Sequence, residues 1–196
     1  ELFFALGADG QLRTRPMKGT RRRGRWSAED EVLRDSLCRS AKDRAENLMI
    51  VDLLRNDLGR VADAGSVEVT RMWEVESYDT VWQMTSTIGA QARRDIGLFE
   101  LFVALFPCGS VTGAPKVRAT EIIGEVEVRS RGAYTGTIGF ISPSQQARER
   151  SRQDRRLAGM QAMFSVAIRT VVVDRKAGRV TAGVGGGITW DSEPAA

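Results

Sequence analysis

The sequence predicts an α+β fold, with antiparallel sheets and outer helices. Two observations carry that expectation. Strand-like runs come in neighbouring pairs separated by turn residues, as hairpins do. Between them lie long stretches with apolar residues at helical spacing. The chain has 196 residues and is 42% hydrophobic, which supplies one domain with a real core.

Residues 1–13 alternate weakly and break at Gly7-Ala8-Asp9-Gly10, a hairpin-like turn. Residues 27–58 read as one helix. Ser27 and Asp30 have capping-box spacing, and Gly59 is a stop signal. Val32, Leu33, Leu37, Ala41, Ala45, Leu48 and Met49 supply its expected buried stripe. Residues 66–76 and 80–90 are rich in Val, Thr and Trp and read as strands. An apolar helix over 97–106 ends at Pro107, and a second runs from about 115 to 126 with Pro in its first turn. Strands follow at about 133–141, 164–174 and 179–190. The polar, Arg-rich stretch 144–159 between the first two reads as a surface insertion.

Composition excludes several chemistries. There is no histidine, so Ser-His-Asp and Cys-His catalysis and His-ligated zinc are ruled out. A metal would be held by carboxylates and would be a hard ion such as Mg²⁺. Proton transfer falls to Glu, Asp, Lys or Tyr. Cys38 and Cys108 form no motif and read as reduced thiols of a cytoplasmic protein. No run of about 18 apolar residues is present, so no membrane helix is expected. The chain opens inside a hydrophobic stretch without an initiator Met and reads as part of a longer protein.

Several segments carry chemistry. Lys18 sits in Arg13-Thr14-Arg15-Pro16-Met17-Lys18-Gly19-Thr20, one of only four lysines. It is either a nucleophile or one more cation in the basic stretch 13–26, which by itself suits nucleic acid. Gly109-Ser110-Val111-Thr112-Gly113-Ala114-Pro115-Lys116 resembles a P-loop but has its second Gly too early. Gly183-Val184-Gly185-Gly186-Gly187 lacks the last Gly of a dinucleotide fingerprint. Both offer backbone N–H groups to an anion. Glu46, Ile50, Leu53 and Asp57 share a helical face, and a carboxylate there needs an Arg or a metal. Tyr134 and Arg169 fall on predicted strands, and Arg169 faces either solvent or a buried anion.

Taken in order, these segments resemble the chorismate-utilising enzymes. The motifs are Arg-Pro-Met-Lys-Gly-Thr, Asp43-Arg44-Ala45-Glu46-Asn47 through Arg55-Asn56-Asp57, Ser86-Thr87-Ile88, Pro107 to Lys116, Tyr134-x-Gly-x-x-Gly, Ile168-Arg169-Thr170 and Gly185-Gly186-Gly187-Ile188. They cover nearly the whole chain. Within the family the resemblance is to the aminodeoxychorismate synthase component I branch, because anthranilate synthases typically carry a small residue at the Lys18 position.

The resemblance implies amination of chorismate at C4 to 4-amino-4-deoxychorismate, in para-aminobenzoate and folate synthesis. Ammonia would come from a glutamine amidotransferase. Lys18 would attack C2 as the C4 hydroxyl leaves, and ammonia would then attack C4 and expel the lysine. An ordinary lysine amine is neutral in only about 1 in 2,500 molecules at pH 7, so such a nucleophile needs depressing neighbours, here arginines or Mg²⁺. Glu1 would serve as the acid–base group. Gly19, Thr20, Thr112, Tyr134, Arg169, Gly185, Gly186 and Gly187 would bind substrate, and Glu46 would ligate Mg²⁺. Gln83 stands in the substrate-binding set where many relatives carry His, which counts further against anthranilate synthase, the nearest alternative. A basic nucleic-acid-binding module is the distant one. The resemblance also implies that residues 1–196 are a single truncated chorismate-binding domain. Its opening half and a second metal-binding glutamate would lie outside it, so the lone chain is expected to be inactive or poorly folded.

Overall fold

A computed structural model describes residues 1–143, 157 and 159–188. The hairpin at the start forms as expected from β1 (Leu2–Leu6) and β2 (Gln11–Arg15), with the Gly7 N–H on the Gln11 carbonyl at 2.8 Å. Gly10 has φ 86, which favours glycine. Pro16 has no N–H to give a ladder and separates β2 from β3 (Met17–Arg22), a strand the sequence reading missed. Both lie along one side of β5 (Val81–Gln91). β3 pairs with its first half and β2 with its second, while β4 (Glu68–Ser77) takes the other side. From β2 the sheet continues through β1 to β7 (Met160–Val166) and β6 (Thr137–Pro143). All seven strands pair antiparallel. β8 (Val171–Asp174) and β9 (Arg179–Ala182) form a separate hairpin. The α+β architecture is therefore the predicted one.

The predicted helix over 27–58 is two helices, α1 (Ser27–Arg39) and α2 (Ala41–Gly59). Ser40 leaves helical geometry at ψ 108, and its hydroxyl accepts the Asp43 N–H at 3.2 Å, so it caps the second helix. Leu37 is buried as expected, but the break resets the helical phase and overturns the stripe beyond it. Val32, Leu48 and Met49 are exposed, and the buried face of α2 is Asn47, Ile50, Val51, Leu54, Asp57 and Leu58. The Ser27–Asp30 capping box does not form either. Trp26 occupies the cap position, and Asp30 instead binds the Arg23 guanidinium and the Gly24 N–H. A charge-assisted pair outcompetes a cap.

α3 (Leu98–Leu105), a 3-10 turn (Gly109–Val111) and α4 (Lys116–Val126) follow close to expectation. The last strands are shorter than predicted, which places 134–136, 167–170 and 183–188 in turns or extended segments outside any strand. Of the predicted insertion at 144–159, only residues 157 and 159 are among those described.

The core lies between the sheet and α2 with α3. β1 buries Phe3 and Phe4 in succession because its register shifts between Leu2 and Ala5. Phe4 packs against Phe102 and Phe164 with ring centroids 5.4 and 5.1 Å away, tying α3 and β7 to the hairpin.

Candidate active site

Lys18 sits on β3 where the pairing with β5 bulges between Met17 and Thr20. Gly19 makes the bulge possible, with φ 90 and α2 so near that a side chain would meet Asp43 at 2.9 Å. Gln83 is buried, and its amide is engaged at both ends by this bulge. It donates to the Gly19 carbonyl at 2.7 Å and accepts from the Thr20 hydroxyl at 2.9 Å. Gln83 thus acts on the site through the residues that flank Lys18.

The Lys18 Nζ donates to the Ser110 carbonyl at 3.2 Å and has no ion pair among the described residues. The same turn holds Glu1. Its carboxyl accepts from Ser110 and, at 3.8 Å, from the Cys108 thiol. Burial pushes the Glu1 carboxyl above the usual range. Ser110, Lys18 and Cys108 pull it back only in part. A carboxyl whose proton affinity is raised by burial is the kind of group that serves as a general acid.

The 3-10 turn is held from three directions, and Lys116 ties the start of α4 to α3 and α2 beside it. The Thr112 hydroxyl donates to the Cys108 carbonyl at 3.1 Å. Gly109 lies so close on Leu53 of α2 that no side chain fits. Arg131 donates to the Val111 carbonyl at 2.9 Å. Lys116 donates to Leu105 O at 3.0 Å and pairs with buried Asp57 at 2.5 Å. The carboxylate face of α2 therefore has a partner for Asp57, and it is a lysine rather than the arginine or metal expected. Glu46, one turn beyond Asp43 and half-buried, has no hydrogen bond or ion pair among the described residues. Glu46 is a lone carboxylate, and no group of three or more His, Cys, Asp or Glu that could hold a metal occurs among the described residues, so Mg²⁺ there would take most of its shell from substrate and water.

Tyr134 and Arg169 are in turns rather than on strands. The two turns are bonded to each other, Thr135 N–H to Ala167 O and Ala167 N–H to Gly136 O, both at 2.9 Å. Thr135 has φ 62 and Arg169 φ 53, a strained conformation for residues with side chains. Arg169 is exposed and has no ion pair among the described residues. Gly183 lies flat on the Tyr134 ring, and a Cβ on Gly185 would reach the Tyr134 hydroxyl at 2.8 Å. A Cβ on Gly187 would lie 3.8 Å from Lys18 Nζ. The glycine segment thus runs from Tyr134 to Lys18. Past Ala182 it leaves the β8–β9 ladder, and the N–H groups of 185–187 have no partner among the described residues.

The basic stretch is largely self-neutralised. Arg21 pairs with Asp43, Arg22 and Arg25 with Glu29, Arg23 with Asp30 and Arg15 with Glu76. These arginines are committed to carboxylates and are not free to act on Lys18 as the sequence suggested. Sequence reading also missed Ser110, Cys108 and Arg131. Each lies in or beside a motif already singled out, but only the folded turn aims it at the site.

A family model described as chorismate binding enzyme matches residues 1–196. The aminodeoxychorismate synthase of Streptomyces pristinaespiralis is 43% identical over 194 residues, covering 99% of this chain and 25% of that protein. The aminodeoxychorismate synthase component 1 of Escherichia coli (strain K12) is 44% identical over 190 residues, covering 97% of this chain and 38% of that protein. The solved anthranilate synthase component I from Streptococcus pneumoniae TIGR4 superposes with a TM-score of 0.72 at 31% identity, over 90% of this chain and 35% of that one. The chain thus spans well under half the length of these relatives.

Proposed function

The chain belongs to the chorismate binding enzymes, and on that premise we propose that it aminates chorismate at C4, forming 4-amino-4-deoxychorismate for para-aminobenzoate and folate synthesis. The observation that carries this reading is Lys18. Its amine has no counter-carboxylate in an ion pair among the described residues, sits beside the Glu1 carboxyl, and borders the glycine segment.

The Lys18 amine, once neutral, forms a C–N bond at C2 of chorismate. Both ring double bonds shift along the diene, the C4–O bond breaks, and the hydroxyl takes the Glu1 proton and leaves as water. Ammonia then forms a bond to C4, both double bonds shift back, the C2–N bond breaks to free Lys18 as a neutral amine, and the new C4 ammonium returns a proton to Glu1. Gly19 and Thr20 hold the substrate edge next to Lys18, supported by Gln83. Thr112 and Tyr134 line the pocket. Arg169 takes a substrate carboxylate, and the N–H groups of Gly185, Gly186 and Gly187 take the other polar oxygens. Glu46 would hold Mg²⁺, which when bound neutralises a substrate carboxylate.

Ammonia is supplied by a glutamine amidotransferase subunit or domain, and the location is cytoplasmic. No single helix among the described residues is long and apolar enough to cross a membrane. The test is product analysis of the full-length protein that contains this chain, with chorismate, Mg²⁺ and ammonia. We expect 4-amino-4-deoxychorismate, and anthranilate with pyruvate would overturn the reading in favour of anthranilate synthase.

A further inference from the structure

Cys108 has no part in the scheme above, yet it is buried at the centre of the turn that joins Glu1 to Lys18. Its Sγ lies 3.8 Å from Glu1 Oε1 and 3.2 Å from Ser110 Oγ. Ser110 bonds Glu1 through its hydroxyl and Lys18 through its carbonyl. The four residues therefore form one connected cluster. The Cys108 side chain has little freedom there. Its carbonyl is held by Thr112 and Val111, and the next residue, Gly109, is pressed on Leu53.

We propose that Cys108 is a positioning residue that works through Glu1. Its S–H donates to the carboxyl, holds it against Ser110 beside the Lys18 amine, and sets how readily the carboxyl releases its proton. This rests on the reading of Glu1 as proton donor. Burial and the neighbouring Glu1 carboxylate push the thiol up to about 11, so it stays S–H across the working range and is a donor rather than a nucleophile. The charged groups facing the pair are Lys18 from β3, and Lys116 from α4, which acts on Cys108. Ser110 is the neutral partner from the turn.

The contact makes a two-sided prediction. Cys108→Ala removes a donor to the carboxylate and raises the proton affinity of Glu1. Cys108→Ser supplies a stronger donor and lowers it. Each shift should be about three- to tenfold. Infrared difference titration, with Glu1→Gln to identify the Glu1 carboxyl band, reads that affinity without turnover. The alkaline limb of the rate profile, where a required acid is lost, should move to higher pH in Cys108→Ala and to lower pH in Cys108→Ser. Loss of packing would push both variants the same way, so opposite shifts separate the proposal from a purely structural role. A carboxyl midpoint that is the same in all three proteins overturns the proposal. A midpoint that moves while the rate limb stays fixed overturns Glu1 as the donor and leaves the contact standing.

Discussion

Lys18 and Lys116 reach the same short segment and end in opposite circumstances. Each donates to a backbone carbonyl there, Lys18 to Ser110 at 3.2 Å and Lys116 to Leu105 at 3.0 Å. Lys116 also has Asp57 at 2.5 Å, with the pair almost fully buried. Lys18 has no ion pair among the described residues, only the nearby Glu1 carboxyl. A lysine closed against its own carboxylate is a fastener, because opening the pair leaves a bare buried charge. A lysine without one is available to a substrate. The same residue type thus clamps the turn on one side and faces the chemistry on the other.

The comparison breaks most visibly at the fastener. Lys116→Ala should cost about 3–5 kcal/mol, since it strands the Asp57 carboxylate in the interior. Denaturant unfolding measures this, and a loss below 1 kcal/mol would show that the clamp is not what holds the turn.

Lys18→Ala should do the reverse. Activity should fall by at least about a hundredfold, the lower end for a lost proton-transfer or nucleophilic group, while stability changes by about 1 kcal/mol, the worth of one hydrogen bond. Steady-state kinetics and a melting curve on one preparation check both halves. A variant that keeps full turnover removes the nucleophile role.

Glu1→Gln sharpens the contrast from the acid side. The Glu1 pKa is raised in the folded protein. Its carboxyl therefore costs stability that appears as pH climbs through the ordinary carboxylate range and is complete above the folded pKa. The variant should be the more stable protein at neutral pH and the less active one. Melting curves at acid and neutral pH should differ less for the variant than for the parent.

The smallest effect belongs to the self-neutralised corner. Arg22 and the Arg25 N–H hold the Glu29 carboxyl down at about 2, from an ordinary 4.5. A depressed folded pKa gives stability that is present above about 4.5 and is lost as pH falls toward 2. Acid titration should loosen the start of α1 against β3 in that window, and Glu29→Gln should flatten the response.

Legibility differed from element to element for physical reasons. The opening hairpin was readable because Gly7 to Gly10 announce a turn between alternating runs. β3 was not, because Pro16 and a dense run of arginines hide a strand whose pairing partner lies some 60 residues away in β5. The break at Ser40 was missed because apolar residues continue at plausible spacing across it. Only the geometry of the cap shows that the phase has been reset. Among site residues, Lys18, Glu1, Glu46, Tyr134, Arg169 and the glycines stood out by type and setting. Ser110, Cys108 and Arg131 did not, since lying in or beside a motif does not show which side chains the folded turn aims at the site.

The sequence alone determined the fold class, the family, and the candidates for nucleophile, acid and metal ligand, because these depend on residue types and on their order. The tertiary structure decided which charges are used up. Arg21, Arg22, Arg23 and Arg25 are matched by carboxylates from α1 and α2, and Lys116 by Asp57. Lys18 and Glu46 are left without ion pairs among the described residues. Ion pairing falls off within a few ångströms, so it follows distances in space, and positions along the chain do not carry them.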